Sequence, residues 1–149
     1  MSNEAKWVYG TQTTLEGSGA SVASQAYYLA SSKAPLSSAD HLDYPYGTFV
    51  LTCAFAAAVA AAVQVDLYQC DQNIDGTSDA PTVAAGYQMR YIGSFPLPSG
   101  TSASGTYPLS GRLAPLSKEA NYYIMNNTAQ TLSAAWTLKV TPCTMGPVA

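Results

Sequence analysis

Apolar and polar residues alternate over much of the chain beyond residue 46, which is the pattern of β-strands with one buried face. In residues 134–141, Trp136, Leu138 and Val140 fall on one side, whereas threonines and a lysine fall on the other. The pattern predicts strands at residues 47–55, 63–70, 87–96, 107–113, 121–126 and 134–141. Short strands at regular spacing with almost no helical periodicity predict an all-β fold, an antiparallel β-sandwich that is jelly-roll-like.

The closing residues 121–142 predict a β-hairpin. Two strand-forming stretches flank the turn residues Asn126, Asn127 and Thr128, and Pro142 is expected to end the second strand. Trp136 lies on the apolar face and is therefore expected in the core. In the pairs Tyr27-Tyr28 and Tyr122-Tyr123, neighbouring rings point to opposite faces, so one ring of each pair is expected in the core.

Residues 1–24 differ from the rest, because they are rich in Ser, Thr, Gly and Gln. They predict an extended N-terminal arm, followed by a sandwich domain at residues 25–149. The single apolar patch of the arm, Trp7, Val8 and Tyr9, is the predicted partner-binding segment.

The composition excludes several functions. Charged residues make up 10% of the chain, against roughly 25% in an average domain, and the six Lys and Arg form no basic stripe for nucleic acid or a membrane surface. The first residues lack the pattern of a signal peptide. A weakly ionic surface is cheap to desolvate, which favours burial in a larger assembly.

The uncharged residues 48–63 fall short of the roughly 20 apolar residues of a membrane-spanning helix. Their first half alternates as a strand does, and residues 56–62 are expected to form a short helix or a loop. Cys53, Cys70 and Cys143 are odd in number and have no CxxC spacing, so they are expected to be buried free thiols.

One segment resembles the opening of a calcium loop, with Asp71, Asn73, Asp75 and Asp79 as the oxygen ligands. The closing glutamate of that loop is missing, because Thr82 occupies its position. Hairpin-turn chemistry is therefore preferred over a metal site, and no cofactor is predicted.

The only histidine, His41, has Asp40 and Asp43 beside it. No GxSxG motif supplies a nucleophile, and no pair of carboxylates is marked as acid and base. The sequence therefore predicts a protein that is not an enzyme.

Several short motifs resemble small β-sandwich virion proteins of tailed bacteriophages, over residues 63–142. They are Val65-Asp66-Leu67-Tyr68, Ile74-Asp75-Gly76-Thr77, Tyr91-Ile92-Gly93-Ser94-Phe95, Asn126-Asn127-Thr128-Ala129-Gln130-Thr131 and Thr137-Leu138-Lys139. The resemblance implies an oligomeric structural protein without catalytic residues, either a capsid decoration protein or a tail-associated protein. The first of these would be made in the bacterial cytoplasm and located on the capsid surface.

The resulting expectation is a capsid decoration, or cement, protein that binds the major capsid protein and copies of itself. The alternative is a tail or fibre protein that binds a host-surface glycan through loops, since aromatic rings also stack on sugars. A third and weaker possibility is a secreted calcium-binding module.

Overall fold

The structure, a computed structural model, describes residues 5–30, 44–71, 89–111, 113–117 and 120–147. All regular structure in these residues is β. The strands are β1 (Ala5–Tyr9), β2 (Thr13–Gly19), β3 (Tyr27–Leu29), β4 (Tyr46–Cys53), β5 (Val63–Asp71), β6 (Arg90–Leu97), β7 (Gly105–Pro108), β8 (Ala114–Pro115), β9 (Ala120–Asn126) and β10 (Trp136–Pro147). Within these residues no helix is long and apolar enough to span a bilayer.

The strands form two antiparallel sheets. In sheet A, β10 lies between β4 and an edge made of β1 and β2, and β4 lies between β10 and an edge made of β7 and β8. Sheet B has the order β3-β9-β5-β6. Strands β1 and β2 share one edge of β10, and β7 and β8 share one edge of β4, so each pair can be counted as one interrupted strand. With the strands renumbered from one to eight in chain order, the first pairs with the eighth, the second with the seventh, the third with the sixth and the fourth with the fifth. This is one long hairpin rolled into two sheets, so the predicted all-β sandwich is confirmed and its topology is a jelly roll.

The hydrophobic core lies between the sheets. Strand β4 alternates strictly, with Phe49 and Leu51 buried, and Phe49 meets Tyr122 of sheet B at 5.1 Å between ring centroids. Other fully buried side chains are Leu15, Val65, Leu67, Phe95, Ile124, Leu132, Leu138 and Val140. Burial of this many apolar side chains is the main source of stability.

Trp136 closes one end of the core, as expected. Its ring meets Tyr28 of sheet B edge to face at 5.3 Å, and its Nε1 donates to the carbonyl of Ala20 at 2.8 Å. A Cβ atom at Gly19 would stand 2.0 Å from the indole. Glycine is therefore required at the end of β2, because only a bare backbone can pass so close to the ring.

The expected closing hairpin is wrong. Strand β9 pairs with β3 and β5, whereas β10 pairs with β1, β2 and β4, so residues 127–135 cross from one sheet to the other. Leu132 anchors the crossing by bridging to Val22 and Phe55. The prediction identified both strands correctly, but local pattern does not specify which strands pair.

Buried Asn126 organises the start of this crossing. Its Nδ2 donates to the carbonyls of Val22 (3.0 Å), Ala23 (3.2 Å) and Gln130 (2.8 Å). Its Oδ1 accepts from the backbone N–H of Thr128 at 3.1 Å. One side chain thus ties the end of β9, the crossing and the link between β2 and β3 together.

Pro142 does not end the last strand, contrary to expectation, because β10 continues to Pro147. The carbonyl of Pro142 accepts from the N–H of Gly10. In an antiparallel ladder the N–H and the C=O of one residue point toward the same neighbouring strand. The N–H that Pro142 lacks would therefore point, as its carbonyl does, toward Gly10, in the gap between β1 and β2. No ladder bond between regular strands is lost.

The extended arm predicted for residues 1–24 is not confirmed. Residues 5–9 and 13–19 are the strands β1 and β2, both paired with β10. Leu15 is 0% and Val22 2% exposed, so both belong to the core. The polar composition of this segment reflects edge strands with one solvated face.

The other predicted strands at 47–55, 63–70 and 121–126 are confirmed with end shifts of one or two residues. The strand predicted at 107–113 is wrong in extent, because β7 ends at Pro108 and β8 begins at Ala114. Tyr122 and Tyr123 are both buried, so the expected division of that pair between core and surface is also wrong.

Candidate functional site

The outer face of sheet A carries exposed apolar side chains. Tyr9, Cys143 and Tyr46 stand directly opposite one another on β1, β10 and β4, and Trp7 stands opposite Met145. The exposed fractions are 40% for Trp7, 57% for Tyr9, 41% for Tyr46 and 60% for Met145. We call these four residues the sheet A patch.

The sheet A patch is held in place by its own contacts. The rings of Trp7 and Tyr46 meet edge to face at a centroid distance of 6.2 Å across β10. Cys143, which lies between their strands, is fully buried. Because the rings stand on regular strands, they form a largely preformed surface, which lowers the entropy lost on binding.

A cleft of about 530 Å³ adjoins the patch. Its lining residues are Trp7, Tyr9, Thr48, Phe49, Val50, Pro108, Leu109 and Leu113. It lies beside β4 where the edge of sheet A is broken, because β7 pairs with Val50–Cys53 and β8 with only Tyr46 and Gly47. None of these described lining residues is charged, so this part of the site suits an uncharged and largely apolar group.

The outer face of sheet B has a second exposed aromatic group. Tyr68 contacts Tyr27 and Tyr91, each at 5.6 Å between ring centroids. Tyr27 and Tyr91 are 42% and 53% exposed, and Leu29 beside them is 37% exposed. We call these four residues the sheet B patch.

The carboxylate of Asp66 lies beside the sheet B patch and is 5% exposed. It accepts hydrogen bonds from Gln64 Nε2 at 2.9 Å and from Asn127 Nδ2. Burial, with the Asp66 charge as a second cause, raises the pKa of Tyr68. Asp66 is thus a buried and well-satisfied structural charge, and neutral tyrosine hydroxyls dominate the polar chemistry of this face.

The structure separates the predicted partner-binding residues. Trp7 and Tyr9 lie in the sheet A patch, whereas Val8 is on the opposite face of β1, where it faces Thr144 and Gly146. A role of these residues in binding a partner stays a prediction. Tyr46 and Met145, which complete the patch, were missed because they are distant in sequence and only the pairing through β10 unites them.

Of the calcium-loop residues, the structure describes only Asp71; Asn73, Asp75 and Asp79 lie outside the described residues. Asp71 Oδ1 accepts from Gln69 Nε2 at 2.6 Å and from the Ser117 hydroxyl. Among the described residues no group of His, Cys, Asp and Glu could hold a metal ion. His41, Asp40 and Asp43 lie outside the described residues as well.

Cys53, Cys70 and Cys143 are buried and form no disulfide, as the sequence predicts. Burial raises the pKa of all three thiols, that of Cys53 from its ordinary value of 9.0 to about 12. Reactive thiols need a low pKa and solvent access. The three thiols are therefore packing groups, and of them Cys53 belongs to the core between the sheets.

The raised pKa of Cys53 predicts a loss of stability at alkaline pH. The folded chain holds this proton more tightly than the unfolded chain, so the stabilisation is complete below pH 9 and declines as the pH rises toward 12. Urea unfolding at a series of pH values is expected to show this decline, and Cys53→Ala is expected to show a shallower one. An identical slope in the variant would contradict the assignment.

Comparison with models of known protein families and with curated proteins gives no match for this chain.

Proposed function

We propose that this chain is a non-catalytic structural subunit of a virion, a bacteriophage capsid decoration protein that binds the major capsid protein through the sheet A patch and its cleft. The observation that carries the proposal is the uncharged aromatic patch around a preformed cleft on one open face. Protein interfaces place aromatic anchors in such central positions and charged residues at the rim.

Two further properties support this proposal. The low charge of the chain makes large parts of its surface cheap to desolvate, as a shell-bound protein requires. Jelly rolls recur in viral capsid domains, although they also recur in lectins, and a fold by itself does not define a function. The residues of the patch therefore carry more weight than the topology.

The site predicts that Val50→Glu abolishes shell binding. Val50 lies on the outer face and lines the cleft, so a carboxylate there would lose its water in the complex, at a cost that one ion pair with Lys139 repays only in part. The fold should tolerate it, because Lys139 stands directly opposite on β10 and can pair with the new charge. Cosedimentation with shells of the encoding phage that lack the protein measures the loss, expected to exceed tenfold in affinity.

Thr137→Glu is the matched control. It places the same charge on the same face of sheet A, opposite Thr52 and outside the cleft. It is expected to bind as the wild type does. Equal binding by both variants would place the docking surface elsewhere, and no binding by the wild type would reject the decoration role.

A second candidate function is a tail or fibre protein that binds a host-surface glycan. The exposed rings of Trp7 and Tyr9, beside the hydroxyl of Thr48 in the cleft, could stack on a sugar. These rings stand on strands and not at the loop tips that were expected. The copy number per virion, measured by quantitative electrophoresis, distinguishes the two candidate functions. A shell protein is expected in hundreds of copies and a tail protein in only a few.

A further inference from the structure

Strand β1 presents an edge that, within the described residues, only the charge of Lys6 protects. It pairs with β10 through five consecutive residue pairs without a register shift, and it contains no proline. Among the described residues, no other strand pairs with its second edge. Such an edge is a template for another strand.

The other sheet edges are blunted in ways known from natural sheets. Strand β2 pairs with β10 through two register shifts, β3 has three residues, and β7 and β8 are short and contain proline. Strand β6 contains Pro96, and the carbonyl of its Ser94 accepts from the N–H of Ser110 at 2.7 Å. The regular edge of β1 therefore stands apart from the rest.

β1 and the end of β10 also extend past the sheet. The pairing of β4 with β10 ends at Tyr46 and Cys143, so in the part of the chain that the structure describes residues 144–147 pair only with β1. A two-stranded ribbon is marginally stable in water, and added strands stabilise it. Its outer face carries Trp7 and Met145, the latter 60% exposed.

The direction of each backbone group follows from one hydrogen bond. Gly10 N–H donates to the carbonyl of Pro142, so this pair belongs to the hydrogen-bonded set of the ladder. Because such pairs alternate, the N–H and C=O groups of Lys6 and Val8 face β10. Those of Ala5, Trp7 and Tyr9 face the open edge.

We infer that two copies of this chain associate by antiparallel pairing of their β1 edges about a twofold axis at Trp7. This register pairs all five residues of β1 and joins the outward-facing groups of Ala5, Trp7 and Tyr9 to those of the partner copy. Sheet A then runs continuously through both copies.

The chemistry of β1 fits a second copy. An antiparallel edge is complementary to itself, as an isologous interface requires. In the inferred register Lys6 of one copy faces Val8 of the other, so the two Lys6 ammonium groups are not directly opposite each other. Tyr9 of one copy faces the small Ala5 of the other. The two Trp7 residues stand opposite each other at the axis, and each ring leans away from it, over β10 toward Tyr46, which leaves room for the partner strand.

Sedimentation velocity of the isolated protein over a concentration series tests this inference without any shell, so its outcome is independent of the proposed function. The wild type is expected to show a concentration-dependent dimer. Trp7→Lys, which would place two ammonium groups side by side at the axis, is expected to weaken dimerisation at least tenfold. Tyr91→Lys makes the same kind of change on the sheet B patch and should leave dimerisation unchanged.

Amide hydrogen exchange of the wild type tests the register without a variant. The amides of Lys6 and Val8 should exchange more slowly than their neighbours at every concentration, because they bond to β10. Those of Ala5, Trp7 and Tyr9 should become protected only as the dimer forms. A monomer up to about millimolar concentration, dimer loss in Tyr91→Lys alone, or no alternation of protection would each overturn the inference.

Discussion

Replacing Asn126 with alanine is expected to lower the free energy of unfolding by about 3–5 kcal/mol. The side chain is 0% exposed and donates to three backbone carbonyls of the crossing and the β2–β3 link. Its removal takes one donor from each carbonyl, although each keeps another donor (the N–H of Leu132, the N–H of Ala26 and the hydroxyl of Thr128), and it leaves the buried N–H of Thr128 without its acceptor. A lost hydrogen bond costs about 0.5–1.5 kcal/mol and an unsatisfied buried group about 1–3 kcal/mol. Urea unfolding followed by tryptophan fluorescence measures the change.

Asn121→Ala is the matched control, because Asn121 lies on the same strand but is only partly buried. It is expected to cost less than about 1 kcal/mol, as surface substitutions do. If the two variants were equally stable, Asn126 would not hold the crossing between the sheets.

Deletion of residues 1–24 is expected to prevent folding. It removes β1 and β2, which form one edge of sheet A, and takes Leu15 and Val22 out of the core. Loss of each large buried side chain costs about 2–5 kcal/mol, against a typical total stability of about 5–15 kcal/mol. Circular dichroism and the dispersion of the NMR spectrum report the outcome.

The point variant Leu15→Ala distinguishes the loss of one core side chain from the loss of the whole segment 1–24. It is expected to fold with stability reduced by about 2–5 kcal/mol. A truncated chain with native spectra and melting temperature would show that residues 5–19 are a detachable arm after all. In that case a loss of shell binding by the truncated chain would report on the role of residues 1–24 in docking. An unfolded chain could not give this information.

The proposed decoration role and the inferred dimer both involve Trp7 but otherwise use different groups of sheet A. Shell binding would engage the side chains of the outer face, whereas self-association would engage the backbone at the edge of β1. A protein that bridges neighbouring capsid subunits needs more than one contact surface. A dimer would present two sheet A patches on one continuous sheet, which multiplies weak contacts with the shell.

The sequence by itself determined the fold class, the positions of most strands and the inward face of the last one. In β10 the alternation placed Trp136, Leu138 and Val140 on one face, and all three are buried. This succeeds because side chains alternate between the two faces of a strand, so a hydrophobic period of two reports burial directly.

The tertiary structure alone decided which strands pair, and with that the candidate site. The alternation in β9 and β10 is satisfied equally by a hairpin and by strands of opposite sheets, and the network of Asn126 selects the second. Residues 5–19 read as an arm because their polar positions are those of edge strands. Trp7 and Tyr9 meet Tyr46 and Met145 only because β10 lies between β1 and β4, a contact between distant residues that no local pattern records.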